Sequence, residues 1–228
     1  MNVGSVSNVL SKNAARKIVR DADRVCRIIA EEFPSVSSSR IQTFKCADAN
    51  DTFIKYCKAK LLQNRYIRDE ASKLRKTDDT LDFFRCFIEN MKKYKNINCG
   101  DYTKLAQLLL KANNVEAVNA AVMTKKLKNL DHMVLLVNVP KKASCIVGNN
   151  ADLKNIIVID PWLRFADFAN NAIVRYNSEF SRCMGLEDKY EKLFFYLWPN
   201  PNISDKVIQY IRETFPHFIQ KKGFMANV

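Results

Sequence analysis

The hydrophobic period of this chain changes near residue 98, and that change limits the architectures open to it. Before it, apolar residues recur at spacings of three and four, as on one face of a helix. Ile18, Ala22, Val25, Ile29 and Phe33 run up to Pro34, and Phe53, Cys57, Leu61 and Ile67 mark a second helix. Leu81, Phe84, Phe87, Ile88 and Met91 follow a capping Thr80. After residue 98 one more helical stripe, Leu105, Leu108, Leu109 and Ala112, stops at Asn113-Asn114. Strand-like runs then take over: VEAVNAAVM (115–123), HMVLLVNV (132–139), NIIVID (155–160) and KLFFYLWPN (192–200). Ser204 opens a last helix through Val207, Ile208, Ile211 and Phe215. Helices followed by clustered strands imply an α+β fold with an antiparallel sheet. SVSSS (35–39) is too short for a domain linker. The expected organisation is a helical N-terminal region, residues 1–95, packed on a core of residues 96–228.

Composition narrows the function classes. Hydrophobic residues make up 47% of the 228, which excludes a disordered chain. No apolar run approaches the ~20 residues of a membrane span. MNVGSVSNVL has neither the basic-then-apolar order of a secretory signal nor a glycine directly after the methionine for myristoylation. The expectation is a soluble protein made in a cytoplasm. The net charge of +13 is spread over both halves, with short clusters at Lys73, Arg75 and Lys76, at Lys92, Lys93 and Lys95, and at Lys125, Lys126 and Lys128. A nucleic-acid binder concentrates its charge and interleaves aromatics, so nucleic acid is disfavoured, while an acidic protein partner fits. The seven cysteines are odd in number and hold no C-x-x-C pair, so neither a disulfide framework nor a zinc site is expected. Cys26, Cys46, Cys57, Cys86, Cys145 and Cys183 read as structural thiols; no metal and no cofactor are called for.

Cys99 is the exception. It lies in NCGDYTKLAQLLL (98–110), where Asn98 is a favoured N-cap and Asp101, three residues on, resembles a capping box. A cysteine at the first helical position sits at the positive end of the helix dipole, which favours the thiolate. Gly100 leaves room for a substrate carbonyl to approach the neighbouring amides, a potential oxyanion hole. A nucleophilic thiol needs a base, and the chain has two histidines. His217 has no patterned carboxylate nearby and reads as a surface residue. His132 begins HMVLLVNV, while Asp160 ends NIIVID. A hairpin in which paired residue numbers sum to 292 sets His132 against Asp160, Val134 against Val158 and Leu136 against Ile156. Cys99 then attacks a carbonyl, His132 moves the proton, and Asp160 orients the ring.

These segments also resemble a known family. NCGDYTKLAQLLLKANNVEAVNAAVM, LDHMVLLVN and IIVIDPW, covering about residues 96–163, are similar to the core of the transglutaminase-like branch of the papain-like cysteine enzymes. The resemblance implies a papain-like/transglutaminase-like core with a central nucleophile helix. In it Cys99 is the nucleophile, His132 the base and Asp160 the orienting acid, with Asn98, Gly100, Asp131 and Trp162 shaping the substrate site. Departures are Asn113-Asn114 where a glycine is common, Met133 where an aromatic is common, a longer loop between the His and Asp strands, and no upstream Trp or Gln. The oxyanion donor then falls to Asn96, Asn98 or the backbone. The style of the chain is similar to bacterial effectors delivered into host cells. The implied activity is transglutamination or deamidation of glutamine side chains in a host protein. A papain-like cysteine protease and a non-catalytic module docking an acidic partner are the alternatives.

Overall fold

The structure is a computed structural model that describes residues 10–34, 80–94, 97–124, 132–140, 145–147, 151–184, 193–198, 200 and 202–219. The second helical stripe (Phe53 to Ile67), the basic clusters at 73–76 and 125–128, Lys95, Asn96 and Asp131 lie outside these residues. Five helices are described: α1 (Lys12–Glu32), α2 (Thr80–Tyr94), α3 (Cys99–Ala112), α4 (Ala169–Met184) and α5 (Asp205–Thr214). Six strands are described: β1 (Val118–Thr124), β2 (His132–Val137), β3 (Cys145–Val147), β4 (Ile157–Asp160), β5 (Phe165–Phe168) and β6 (Leu193–Leu197). They form one sheet in the order β3-β6-β1-β2-β4-β5, with every neighbouring pair antiparallel.

The architecture is α+β, with a helical layer on each face of the sheet. On one face Leu135, Val137, Ile157 and Ile159 share a core with α1, α2, α3 and α5. On the other, Val134, Leu136, Val158 and Phe195 pack with Ala169, Ala172 and Tyr176 of α4. Central strands covered on both sides need apolar residues at every position, which is why HMVLLV and IVID are nearly continuous apolar runs rather than alternating ones. The two described helices of residues 1–95 belong to the same core as the sheet.

Two elements decide where the site forms. The N-terminal end of α3 is set by a complete capping box: Asp101 N–H donates to Asn98 Oδ1 at 2.9 Å, and Asn98 N–H donates to Asp101 Oδ2 at 3.2 Å. Its C-terminal end closes in a Schellman motif, with Val115 N–H donating to Leu110 O and Asn114 N–H to Lys111 O. Asn114 takes the left-handed conformation (φ 62°) that a glycine commonly supplies there. The helix is held to the sheet by the fully buried Leu105, Leu108 and Leu109, and by Thr103 Oγ1 donating to Met133 O at 2.9 Å.

The pairing of β2 with β4 corrects the expected register. Leu135 faces Ile159, Leu136 faces Val158 and Val137 faces Ile157, so paired numbers sum to 294 rather than 292. The slip is two residues, so every side chain keeps its face. It places Asp160 diagonal to His132 rather than directly opposite.

Candidate active site

Antiparallel pairing brings the first residue of β2 and the last residue of β4 to the same end of the sheet. Those residues are His132 and Asp160. The first residue of α3 is Cys99, and the Thr103–Met133 bond holds that helix start over the start of β2. The diagonal offset is spanned by the imidazole: His132 Nε2 lies 2.6 Å from Asp160 Oδ2. The Cys99 sulfur interacts with the same ring. Sulfur, imidazole and carboxylate therefore stand in sequence. All three residues are nearly or fully buried, at 6%, 5% and 0% exposed.

Asp160 is held on every side. Its Oδ1 accepts the backbone N–H groups of Trp162 (3.1 Å) and Leu163 (2.9 Å), and its Oδ2 accepts the Tyr176 hydroxyl (2.9 Å) besides the imidazole. A buried carboxylate is costly unless its lone pairs are satisfied, and here four donors meet them. The turn Asp160-Pro161-Trp162-Leu163 supplies two of them locally, which is the physical use of the Asp-Pro-Trp stretch. Tyr176 supplies the fourth from α4 on the far face of the sheet. The Trp162 ring stands 5.2 Å from the imidazole, tilted by 58°, and walls off the His–Asp pair.

This environment sets protonation. Burial by itself pulls the His132 pKa down, but the Asp160 charge, its hydrogen bond and the Cys99 sulfur overcome burial and raise it to about 10. His132 is thus cationic at neutral pH. The Tyr176 phenol is pushed well above its ordinary range by burial and by Asp160, so it keeps its proton and donates. Cys26, on α1 beneath the site, is driven up by burial first and then by Asp160 and Asp23. Its S–H donates to Phe165 O at 3.5 Å, so it is a protonated structural thiol.

The other expected site residues divide. Asn98 caps the helix with its Oδ1, which fixes its Nδ2 group on the opposite side of the amide. The Asp101 carboxylate is drawn back to Asn98 N–H. A side chain at Gly100 would meet Asn98 Oδ1 at 3.4 Å and Met133 Cγ at 4.0 Å, both ordinary contacts, so packing does not demand glycine there. Its amide, second in the helix, has no carbonyl one turn back to bond. His217, the other histidine, is half exposed and does have a carboxylate, Glu32 Oε1 at 2.5 Å, supplied from 185 residues away. Sequence reasoning missed Tyr176. Its signal was the spacing Ala169, Ala172, Tyr176, muted because two of the three are alanines.

Compared with known proteins, the chain matches no family model, no curated protein and no solved structure. Among the described residues, no group of three or more His, Cys, Asp or Glu side chains converges to hold a metal ion. No helix among them is long and apolar enough to cross a membrane.

Proposed function

We propose that this chain is a thiol-dependent acyl-transfer enzyme acting on protein amides, with a transglutaminase-like or papain-like core. The observation that carries the reading is the 2.6 Å contact between His132 and Asp160 on a ring that also interacts with the Cys99 sulfur. A histidine protonated at neutral pH can serve as base for Cys99 only if its proton came from that thiol. That transfer forms the thiolate and the imidazolium together. The thiolate attacks the amide carbonyl carbon and the carbonyl electrons move to oxygen. The N–H of Gly100 and the Nδ2 group of Asn98 stand at the helix start to receive that oxyanion. Collapse of the tetrahedral species breaks the C–N bond as His132 gives its proton to the leaving nitrogen, which leaves a thioester. Neutral His132 next deprotonates the acceptor, and the acyl group passes from sulfur to oxygen or nitrogen. With a glutamine side chain as donor, water completes a deamidation and a lysine amine completes a transglutamination. With a backbone amide as donor the outcome is proteolysis.

Glutamine side chains are favoured because the Cys, His and Asp segments resemble that branch most. The test is site-resolved alkylation of the folded protein by iodoacetamide at mildly acidic pH. Cys99 reacts far ahead of the other six thiols, and His132→Ala removes the advantage. Equal labelling of all seven cysteines overturns the reading. Mass spectrometry of host proteins incubated with wild type and with Cys99→Ala then distinguishes amide-to-acid exchange, crosslink and cleavage.

A further inference from the structure

One row of charges on α1 works against the stability of that helix. Its exposed face carries Lys12, Arg16, Arg20 and Arg24 at successive four-residue steps, with Arg27 three residues on. Like charges four apart on a helix repel, and this row contains three such pairs. Cations also begin the helix, with no acid in its first turn, while Glu31 and Glu32 end it with no base in the last. Both ends oppose the helix dipole. Arg27 is neutralised by Asp23 at 2.8 Å, but among the described residues no carboxylate pairs with Lys12, Arg16, Arg20 or Arg24. The opposite face, from Ala15 and Ile18 to Ile29, is buried in the core, so these cations face outward from a rigid support. Side chains that weaken their own helix, and that pair with no carboxylate among the described residues, suit a partner outside the fold.

We infer that this face of α1 docks an extended acidic segment of a protein partner. Four residues of helix advance about 6 Å along the axis and turn about 40° round it, so the row crosses the face obliquely with successive Cβ atoms about 6 Å apart. Alternate side chains on one face of an extended peptide repeat at about 6.6 Å, so carboxylates at every second position meet successive cations of the row. Three of the four are arginines, whose planar fork suits carboxylates. The row is one side chain wide, which fits a strand-like polyanion better than a flat one. No exposed position of α1 is aromatic, so bases of a single-stranded nucleic acid find nothing to stack on. None is a large apolar residue, so a lipid surface finds nothing to anchor. The surface is independent of catalysis: it stands whether or not Cys99 turns over.

The experiment is fluorescence anisotropy of a labelled peptide with glutamate at alternate positions, titrated with the full chain at low salt. Wild type binds, and the affinity falls about tenfold or more as salt rises to about 0.3 M. The variant R16Q/R20Q/R24Q loses binding by a similar factor, keeps the Cys99 alkylation rate and melts no lower than wild type. The charge-matched control K92Q/K93Q/K206Q, altered at exposed positions of α2 and α5, binds as wild type does. Failure of wild type to bind overturns the inference, as does equal loss in both variants. Tighter binding, through the same arginines, to a single-stranded oligonucleotide or an anionic vesicle of equal charge also overturns the peptide assignment.

Discussion

Tyr176 shares a single carboxylate oxygen with the imidazole of His132, and that sharing has a sign. The phenol draws charge from Asp160 Oδ2 that otherwise acts on His132. Tyr176→Phe removes the donor and leaves the ring volume, so the imidazolium is held more tightly and its titration, followed by NMR of labelled imidazole, moves upward. A fluorinated tyrosine at 176 donates more strongly and moves it downward. Turnover by the Phe variant drops about tenfold, the effect of one hydrogen bond to a charged group. Shifts of the same sign in both variants would mean that the residue only fills space. The meeting of Cys99, His132 and Asp160 was legible residue by residue: a capped helix start at Cys99, and the right strand parity for His132 and Asp160. Tyr176 was not, because its partner lies 16 residues away on a strand that α4 packs against, and because a tyrosine on an apolar stripe reads as core. Glu32 beside His217 was hidden for the same reason, with a longer separation.

At the scale of the element, the start of α3 gives one side chain a structural use and, under the proposed function, a chemical one. Asn98 Oδ1 caps the helix while its Nδ2 group faces the other way. Asn98→Ser keeps a capping oxygen and lacks the amide donor, whereas Asn98→Ala lacks both. Thermal melts place Asn98→Ser near wild type and Asn98→Ala about 1 kcal/mol lower. Acyl transfer falls about a hundredfold in each if Nδ2 serves the oxyanion. Full activity in Asn98→Ser would assign the oxyanion to backbone amides alone. The helix boundaries were legible because caps and Schellman turns are local chemistry: Asn98, Asp101 and Asn113-Asn114 mark both ends of α3 within a few residues. β3 and β5, of three and four residues, are too short for a period to show. The β2–β4 register differed by two because parity determines a strand's face, while the connection between strands determines its offset.

Across the whole molecule, the site ties stability to pH. In the folded chain His132 has its pKa raised to about 10, against 6.5 for the ordinary imidazole. Where no thiol supplies that proton, the folded state holds a proton that the unfolded state releases between those values. Its stabilising effect is complete below about pH 6.5 and lost as pH climbs through 10. Cys26 and Tyr176, both raised, extend the alkaline loss in the same direction. The cleanest measurement is made in Cys99→Ala, where no thiol shares the proton. Its melting temperature declines steadily from neutral to alkaline pH, and adding His132→Gln flattens the neutral-to-mildly-alkaline part. A flat profile in Cys99→Ala itself would show that the ring is not bound as an imidazolium. Sequence alone determined what local forces determine: that α1, α2, α3 and α5 are helices and β1, β2, β4 and β6 strands, where α3 begins and ends, and which faces His132 and Asp160 take. Tertiary structure decided what depends on distant segments meeting. It chose the strand order, the two-residue offset in register, the four donors around Asp160, and the outward row of cations on α1. Periodicity and capping act over one or two turns of chain, whereas a buried carboxylate is satisfied by whatever the fold brings beside it.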